Sequence, residues 1–171
     1  LVKHRPTVIG VTGSVGKTSA KEAIYAVLRK RHPVWKSGKN YNTEIGVPLA
    51  VFGISAPDFN SFWNWLLIFL QMIGMLIRFS DYPDFLILEL GVDKPGDMKY
   101  LMNLARPQIG VITAIGEVPV HVENFPGPKE LAREKLRLIK ALPHLGYAIL
   151  NRDDATLMEE AGRTNAKILT Y

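Results

Sequence analysis

A chain of 171 residues, 47% hydrophobic and 22% charged, is long enough to bury one real core and too apolar to be disordered. It contains no cysteine, which excludes disulfide frameworks and thiol catalysis and fits a cytoplasmic protein. A net charge of +5 suits an anionic partner, and a nucleotide meets that need without any nucleic acid.

Lys3-His4-Arg5-Pro6 leads straight into an apolar run, Val8–Val11, which reads as a buried parallel strand. No leader peptide is expected, and so short a run-in points to a domain of a longer protein. Thr12-Gly13-Ser14-Val15-Gly16-Lys17-Thr18-Ser19 follows at once and opens a helix-patterned segment, Thr18–Arg31. Ala20, Ala23, Ile24, Val27 and Leu28 fall on one face of that helix. Strand, glycine turn, Lys-Thr and helix together form a phosphate cradle: glycines turn N–H groups toward the anion, and the helix N-terminus adds positive charge. Lys17 would reach the terminal phosphates, and the Thr18 hydroxyl would ligate Mg²⁺. The common G-x-x-x-x-G-K-[ST] spacing places its first glycine where this chain has Val11.

Pro33 closes the helix and Val34–Trp35 begins a short strand. Ser37–Thr43 reads as a loop. Asn40, Asn42, Thr43 and Glu44 cluster there, either at a ligand or as an ordinary polar turn. Glu44–Phe52 is predicted as a short helix despite Pro48. Phe62–Phe79 is strongly apolar, interrupted by Asn64, Gln71 and Arg78. It falls a little short of the roughly 20 residues a spanning helix needs. It fits a helix buried against this or another domain, or one lying on a membrane surface with Trp63 and Trp65 at the interface.

Phe85–Leu90 is a second buried strand, and Glu89 near its end either holds Mg²⁺ or simply reaches solvent. Asp97–Ala105 fits a helix, Ile109–Thr113 a third strand. His121 and Glu123 follow in a loop. Pro128–Leu142 fits a helix begun by proline. Within it Lys135 shares the apolar face of Leu131 and Ile139, as a lysine snorkelling at the stripe edge or as one aimed into a site. Tyr147–Leu150 is a strand, and Asn151-Arg152-Asp153-Asp154 after it offers a base-contacting side chain or a helix cap. Ala155–Ala161 is a helix and Lys167–Leu169 a last strand. Strands alternating with helices predict an α/β fold: a P-loop NTPase-like, three-layer α/β/α arrangement with a mostly parallel sheet.

Seven segments then match one family in order: T-G-S-V-G-K-T-S, N-Y-N-T-E-I-G-V-P-L, L-E-L-G-V-D-K-P-G-D, L-A-R-P-Q-I-G-V-I-T, H-V-E-N-F, A-R-E-K-L and A-I-L-N-R-D-D. The chain resembles the central ATP-binding domain of the Mur ligases, most closely the MurF type, which adds D-alanyl-D-alanine to the UDP-muramoyl tripeptide of peptidoglycan. The shorter glycine spacing belongs to that resemblance, which covers residues 1–171 except an apolar insertion at 52–83. It implies ATP and Mg²⁺ as cofactors. It implies that Thr12, Gly13, Ser14, Val15, Gly16, Lys17, Thr18 and Ser19 bind nucleotide, with Asn42 nearby and Asn151 near adenine. It implies that Thr18, Glu89 and His121 hold metal, and that Lys135 is carbamylated and supports a second Mg²⁺. Lys17, Glu89, His121 and Lys135 would be the catalytic set.

The implied reaction passes a γ-phosphoryl group to a carboxylate, after which an amine displaces phosphate. UDP-muramoyl peptide and D-Ala-D-Ala would be bound by an N-terminal and a C-terminal domain that this chain lacks. A monomer is expected, in the cytoplasm, with contact at the inner membrane face through Phe62–Phe79 as one alternative. Two departures stand out: Asp93-Lys94 replaces an Asn-His pair, and His121–Pro126 departs from H-L-E-G-F-G. The competing readings are a GTPase-like switch, on Asp93-x-x-Gly96 and Asn151–Asp154, and a nucleotide-binding module without catalysis.

Overall fold

The computed structural model describes residues 1, 4–39, 41–54, 61–77, 82–115 and 124–171. In chain order the elements are β1 (Thr7–Thr12), α1 (Lys17–Leu28), β2 (Val34–Lys36), α2 (Gly46–Val51), α3 (Phe62–Ile77) and β3 (Phe85–Glu89). They continue with α4 (Asp97–Ala105), β4 (Ile109–Ile112), α5 (Pro128–Lys140), β5 (Tyr147–Leu150), α6 (Ala155–Ala161) and β6 (Lys167–Thr170).

The strands form one sheet in the order β2-β3-β1-β4-β5-β6, and every pairing is parallel. The adjacent interior strands β1 and β3 are apolar runs because both their faces are covered. Ile9, Val11, Ile87 and Val111 pack under Ala20, Ile24, Tyr25 and Leu28 of α1. Val8, Leu86, Leu88, Ile112, Ala148 and Leu150 pack on the other face, under α2, α4, α5 and α6. The three expected layers are therefore present. From β1 the chain builds the β2–β3 side first and then the β4–β6 side. Such a reversal opens a crevice beyond the carboxyl ends of the strands, and the glycine loop sits in it.

Local details refine the expectations. In α1, Ala23 is exposed and Val27 is 69% exposed, while Lys21 is buried at 1%. The helix is rotated so that Lys21 meets Glu89 at the end of β3. Pro48 is tolerated because it stands in the first turn of α2, where its missing N–H has no intrahelical partner. The N-terminus of α4 is capped from another helix: the N–H groups of Gly96 and Met98 donate to Glu134 Oε1 of α5 at 3.0 and 3.1 Å.

The apolar segment forms α3, and it is not buried in this domain. Ile68 and Met72 pack against Leu49 and Ile54. Phe62 is 74% and Trp63 70% exposed, with Trp65, Leu66, Leu67, Phe69, Leu70, Ile73 and Ile77 also exposed. Among the described residues no helix is long and apolar enough to cross a membrane.

Candidate nucleotide-phosphate site

The loop between β1 and α1 needs its glycines. Gly13 has φ +148°, and a Cβ there would lie 2.1 Å from Thr113 Oγ1. Gly16 has φ +79° and caps the N-terminus of α1. Thr113 fastens the loop to β4, donating from Oγ1 to Val15 O at 2.5 Å. The Thr12 hydroxyl donates to Leu90 O at 2.8 Å, so this side chain joins β1 to the end of β3.

Lys17 folds back over the loop and donates to Gly13 O at 3.0 Å and Ser14 O at 3.3 Å. The Ser14 N–H donates to Ala114 O at 2.6 Å, and its hydroxyl donates to Ile115 O. The same hydroxyl accepts from Lys135 Nζ at 3.0 Å. Lys135 is thus buried on α5 and aimed at the loop, not snorkelling to solvent. Its pKa falls to about 8, because burial disfavours the ammonium and the charge of Lys17 adds to the penalty. Gly13, Ser14, Lys17, Asn42, Asp93 and Lys135 line a common cavity of about 100 Å³. A larger cavity of about 420 Å³ between α3 and β2 is lined by His4, Trp35, Met75 and Tyr82 and has none of this loop chemistry.

Thr18 at the start of α1 and Glu89 at the end of β3 meet, with Thr18 Oγ1 donating to Glu89 Oε2 at 3.0 Å. Glu89 does not reach solvent; its backbone N–H donates to Ser37 Oγ at 3.0 Å and its side chain is buried. Lys21, which the apolar pattern of α1 had passed over, brings Nζ to 3.3 Å from the same Oε2. Val15 and Ser19 are exposed at the mouth of the loop. Asn42 accepts the Gly91 N–H on its backbone oxygen at 2.6 Å. Asn151 stands in the turn after β5, its Oδ1 accepting from the Asp153 N–H at 3.0 Å. His121, Glu123 and Asn40 lie outside the described residues. Among the described residues no group of three or more His, Cys, Asp or Glu could hold a metal.

The family of Mur ligase middle domains matches residues 11–61 and 70–171. The chain belongs to that family. The match breaks at residues 62–69, inside α3. A UDP-N-acetylmuramoyl-tripeptide–D-alanyl-D-alanine ligase of Synechocystis is 38% identical over 96% of this chain and 30% of its own length. The corresponding ligase of Mycobacterium leprae is 31% identical over 99% of this chain and 28% of its own length. The chain therefore spans about 30% of the curated relatives it matches. Among solved structures, MurF ligase of Thermotoga maritima in complex with ADP superposes with a TM-score of 0.72 at 29% identity, over 96% of this chain and 32% of that one. MurF of Acinetobacter baumannii superposes with a TM-score of 0.74 at 22% identity, over 99% of this chain and 32% of that one, which bears on the fold.

The GTPase-like alternative is not favoured for this Mur ligase domain. The carboxylate that would read a guanine, Asp154, is engaged otherwise. It accepts the Ile115 N–H at 2.7 Å and caps α6 through the Leu157 N–H at 3.1 Å.

Proposed function

We propose that this chain is the ATP-binding, carboxylate-activating middle domain of a MurF-type amide ligase, residues 1–171 forming one part of a longer protein. The observation that carries the reading is the convergence of Lys17, Lys135 and the Thr18–Glu89 pair on one glycine loop at the switch point of a parallel sheet. ATP enters with its phosphates on the N–H groups of the loop and the start of α1. Lys17 leaves the Gly13 and Ser14 carbonyls for the β- and γ-phosphates. The Thr18 hydroxyl and the Glu89 carboxylate are hard oxygen donors 3.0 Å apart, a set that fits Mg²⁺, and His121 would join them. When bound, that ion neutralises phosphate charge.

A substrate carboxylate oxygen then attacks the γ-phosphorus and ADP leaves. An amine nitrogen attacks the resulting acyl phosphate at its carbonyl carbon, expelling phosphate and losing a proton as the amide forms. Positioning and charge neutralisation supply most of the acceleration in such a transfer. By kinship with the ligases it resembles, the acceptor is a UDP-muramoyl peptide and the amine D-Ala-D-Ala, bound by parts of the protein outside this chain. Lys135 is the carbamylation site: its neutral amine adds to CO₂ and releases a proton, leaving an anionic carbamate beside Ser14. Asn151 lies near adenine.

The test is ADP release by the full-length protein. Release that needs both peptide substrates, with ATP preferred over GTP in binding titrations, supports the reading. GTP preference, or ADP release indifferent to those substrates, rejects it.

The same reading places the domain at the inner membrane face through α3. Its 16 residues include no charged side chain. At about 100° per residue the exposed apolar positions sweep roughly 200° of arc, twice the stripe one packed partner needs. That breadth favours a medium that surrounds the helix. Trp63 and Trp65 suit the headgroup level. His4 lines the same cavity as Met75, and its exposed neighbour Arg5 supplies charge for anionic lipid.

A further inference from the structure

Lys21 is the most deeply buried charged residue among those described, on a helix whose neighbouring positions are open to solvent. It lies three residues after Thr18 and four after Lys17, so all three share the loop-facing side of α1. Its ammonium is 3.3 Å from Glu89 Oε2, the oxygen that also accepts the Thr18 hydroxyl at 3.0 Å. Glu22 stands farther away, at 3.9 Å, with its carboxylate half-exposed and engaged by Lys36. Lys17 directs its own charge onto the Gly13 and Ser14 carbonyls, away from Glu89.

A buried carboxylate with no counter-charge is costly, and a hydroxyl donor alone does not neutralise it. Lys21 supplies the missing charge. Its position has a second effect. With the ammonium in contact, the oxygen pair of Thr18 and Glu89 carries no net charge, and a bare divalent ion would meet a carboxylate already spent. A divalent ion arriving on a nucleotide brings phosphate oxygens that complete its coordination.

We infer that Lys21 is a positioning residue, the internal counter-ion that aims Glu89 at Thr18 and closes the cation seat to a divalent ion arriving without nucleotide. The inference rests on the proposed role of Thr18 and Glu89 as that seat.

The experiment measures Mn²⁺ binding to the full-length protein by the spin-resonance signal of the free ion, with and without ATP, for wild type, Lys21→Met and Lys21→Arg. Wild type and Lys21→Arg are expected to take up Mn²⁺ only with ATP. Lys21→Met should bind Mn²⁺ without nucleotide at least about tenfold more tightly than wild type. Equal nucleotide-free affinity in Lys21→Met and wild type overturns the inference, as does Lys21→Arg behaving like Lys21→Met. A wild type that takes up no Mn²⁺ even with ATP rejects the cation seat itself. Should Lys21→Met not fold, the double variant Lys21→Met/Glu89→Gln removes both charges. Recovery of a cooperative melt then supports the counter-ion role, and continued failure overturns it.

Discussion

Lys135 Nζ lies 3.0 Å from Ser14 Oγ, so a lysine of α5 touches the phosphate loop from 121 residues away in sequence. One hydroxyl thereby ties the loop to two later parts of the chain, the other being Ile115.

Lys135 sets a pH dependence. With its pKa near 8, the amine is mostly protonated at pH 6.5 and mostly neutral at pH 9. Only the neutral form adds CO₂, so a carbamate signal in ¹³C-bicarbonate NMR should rise across that interval and vanish in Lys135→Met. The sign for folding is the same: a lysine whose folded pKa is depressed binds fewer protons than in the unfolded chain above about pH 8, so stability rises with pH from there toward 10.5. Lys135→Met should flatten that slope in thermal melts. A slope unchanged by the substitution would show that Lys135 titrates as an ordinary lysine.

Gly13→Ala should damage both fold and binding. The new Cβ meets Thr113 Oγ1 at 2.1 Å, and a non-glycine residue at such a φ costs about 1–3 kcal/mol by itself. A lowered melting temperature and a weakened ATP affinity are expected together. Melts and titrations matching wild type would contradict the loop geometry.

Glu134 is buried and serves α4, accepting two of its N-terminal N–H groups, with Arg137 Nε at 2.8 Å from its other oxygen. Glu134→Ala should lower unfolding free energy by at least about 2 kcal/mol in urea, since it strands two donors. Glu134→Gln keeps an acceptor and should lose less. Equal losses would assign the effect to packing.

The exposed face of α3 predicts lipid binding. Full-length protein should pellet with anionic vesicles and less with zwitterionic ones. Phe69→Glu/Leu70→Glu, on exposed positions, should weaken pelleting at least about tenfold. Protein that stays in the supernatant defeats the membrane reading. So does a dimer in sedimentation that the substitutions split, which would give α3 to a second copy.

The sheet was legible because its interior strands are apolar on both faces, and Val8–Val11 and Phe85–Leu88 carry that mark with no polar alternation. The loop was legible because Gly13, Gly16, Lys17 and Thr18 crowd into one short stretch directly after a strand. Lys21 was not. Ala23 and Val27 fit the helical stripe, yet Tyr25 packs against the sheet in their stead, and the partner that turns α1 is Glu89 on a distant strand. Its spacing from Lys17 and Thr18 was the available signal. Glu134 hid for the same reason, since its work is on another helix. The exposure of α3 was equally invisible, because an apolar run reports affinity for an apolar neighbour and not whether this domain supplies one.

The strand that carries the phosphate loop is the first of the sheet to be made, yet it is seated only when two later strands arrive. β1 pairs on one side with Phe85–Glu89 and on the other with Ile109–Ile112, and with no strand close to it in sequence. During synthesis it waits with both backbone edges open until about residue 89 has left the ribosome and with one edge open until about residue 112, while α1 can form at once from local bonds. Chains stalled before β4 expose an unpaired apolar edge and cannot grip ATP, so added nucleotide would rescue only those stalled beyond it.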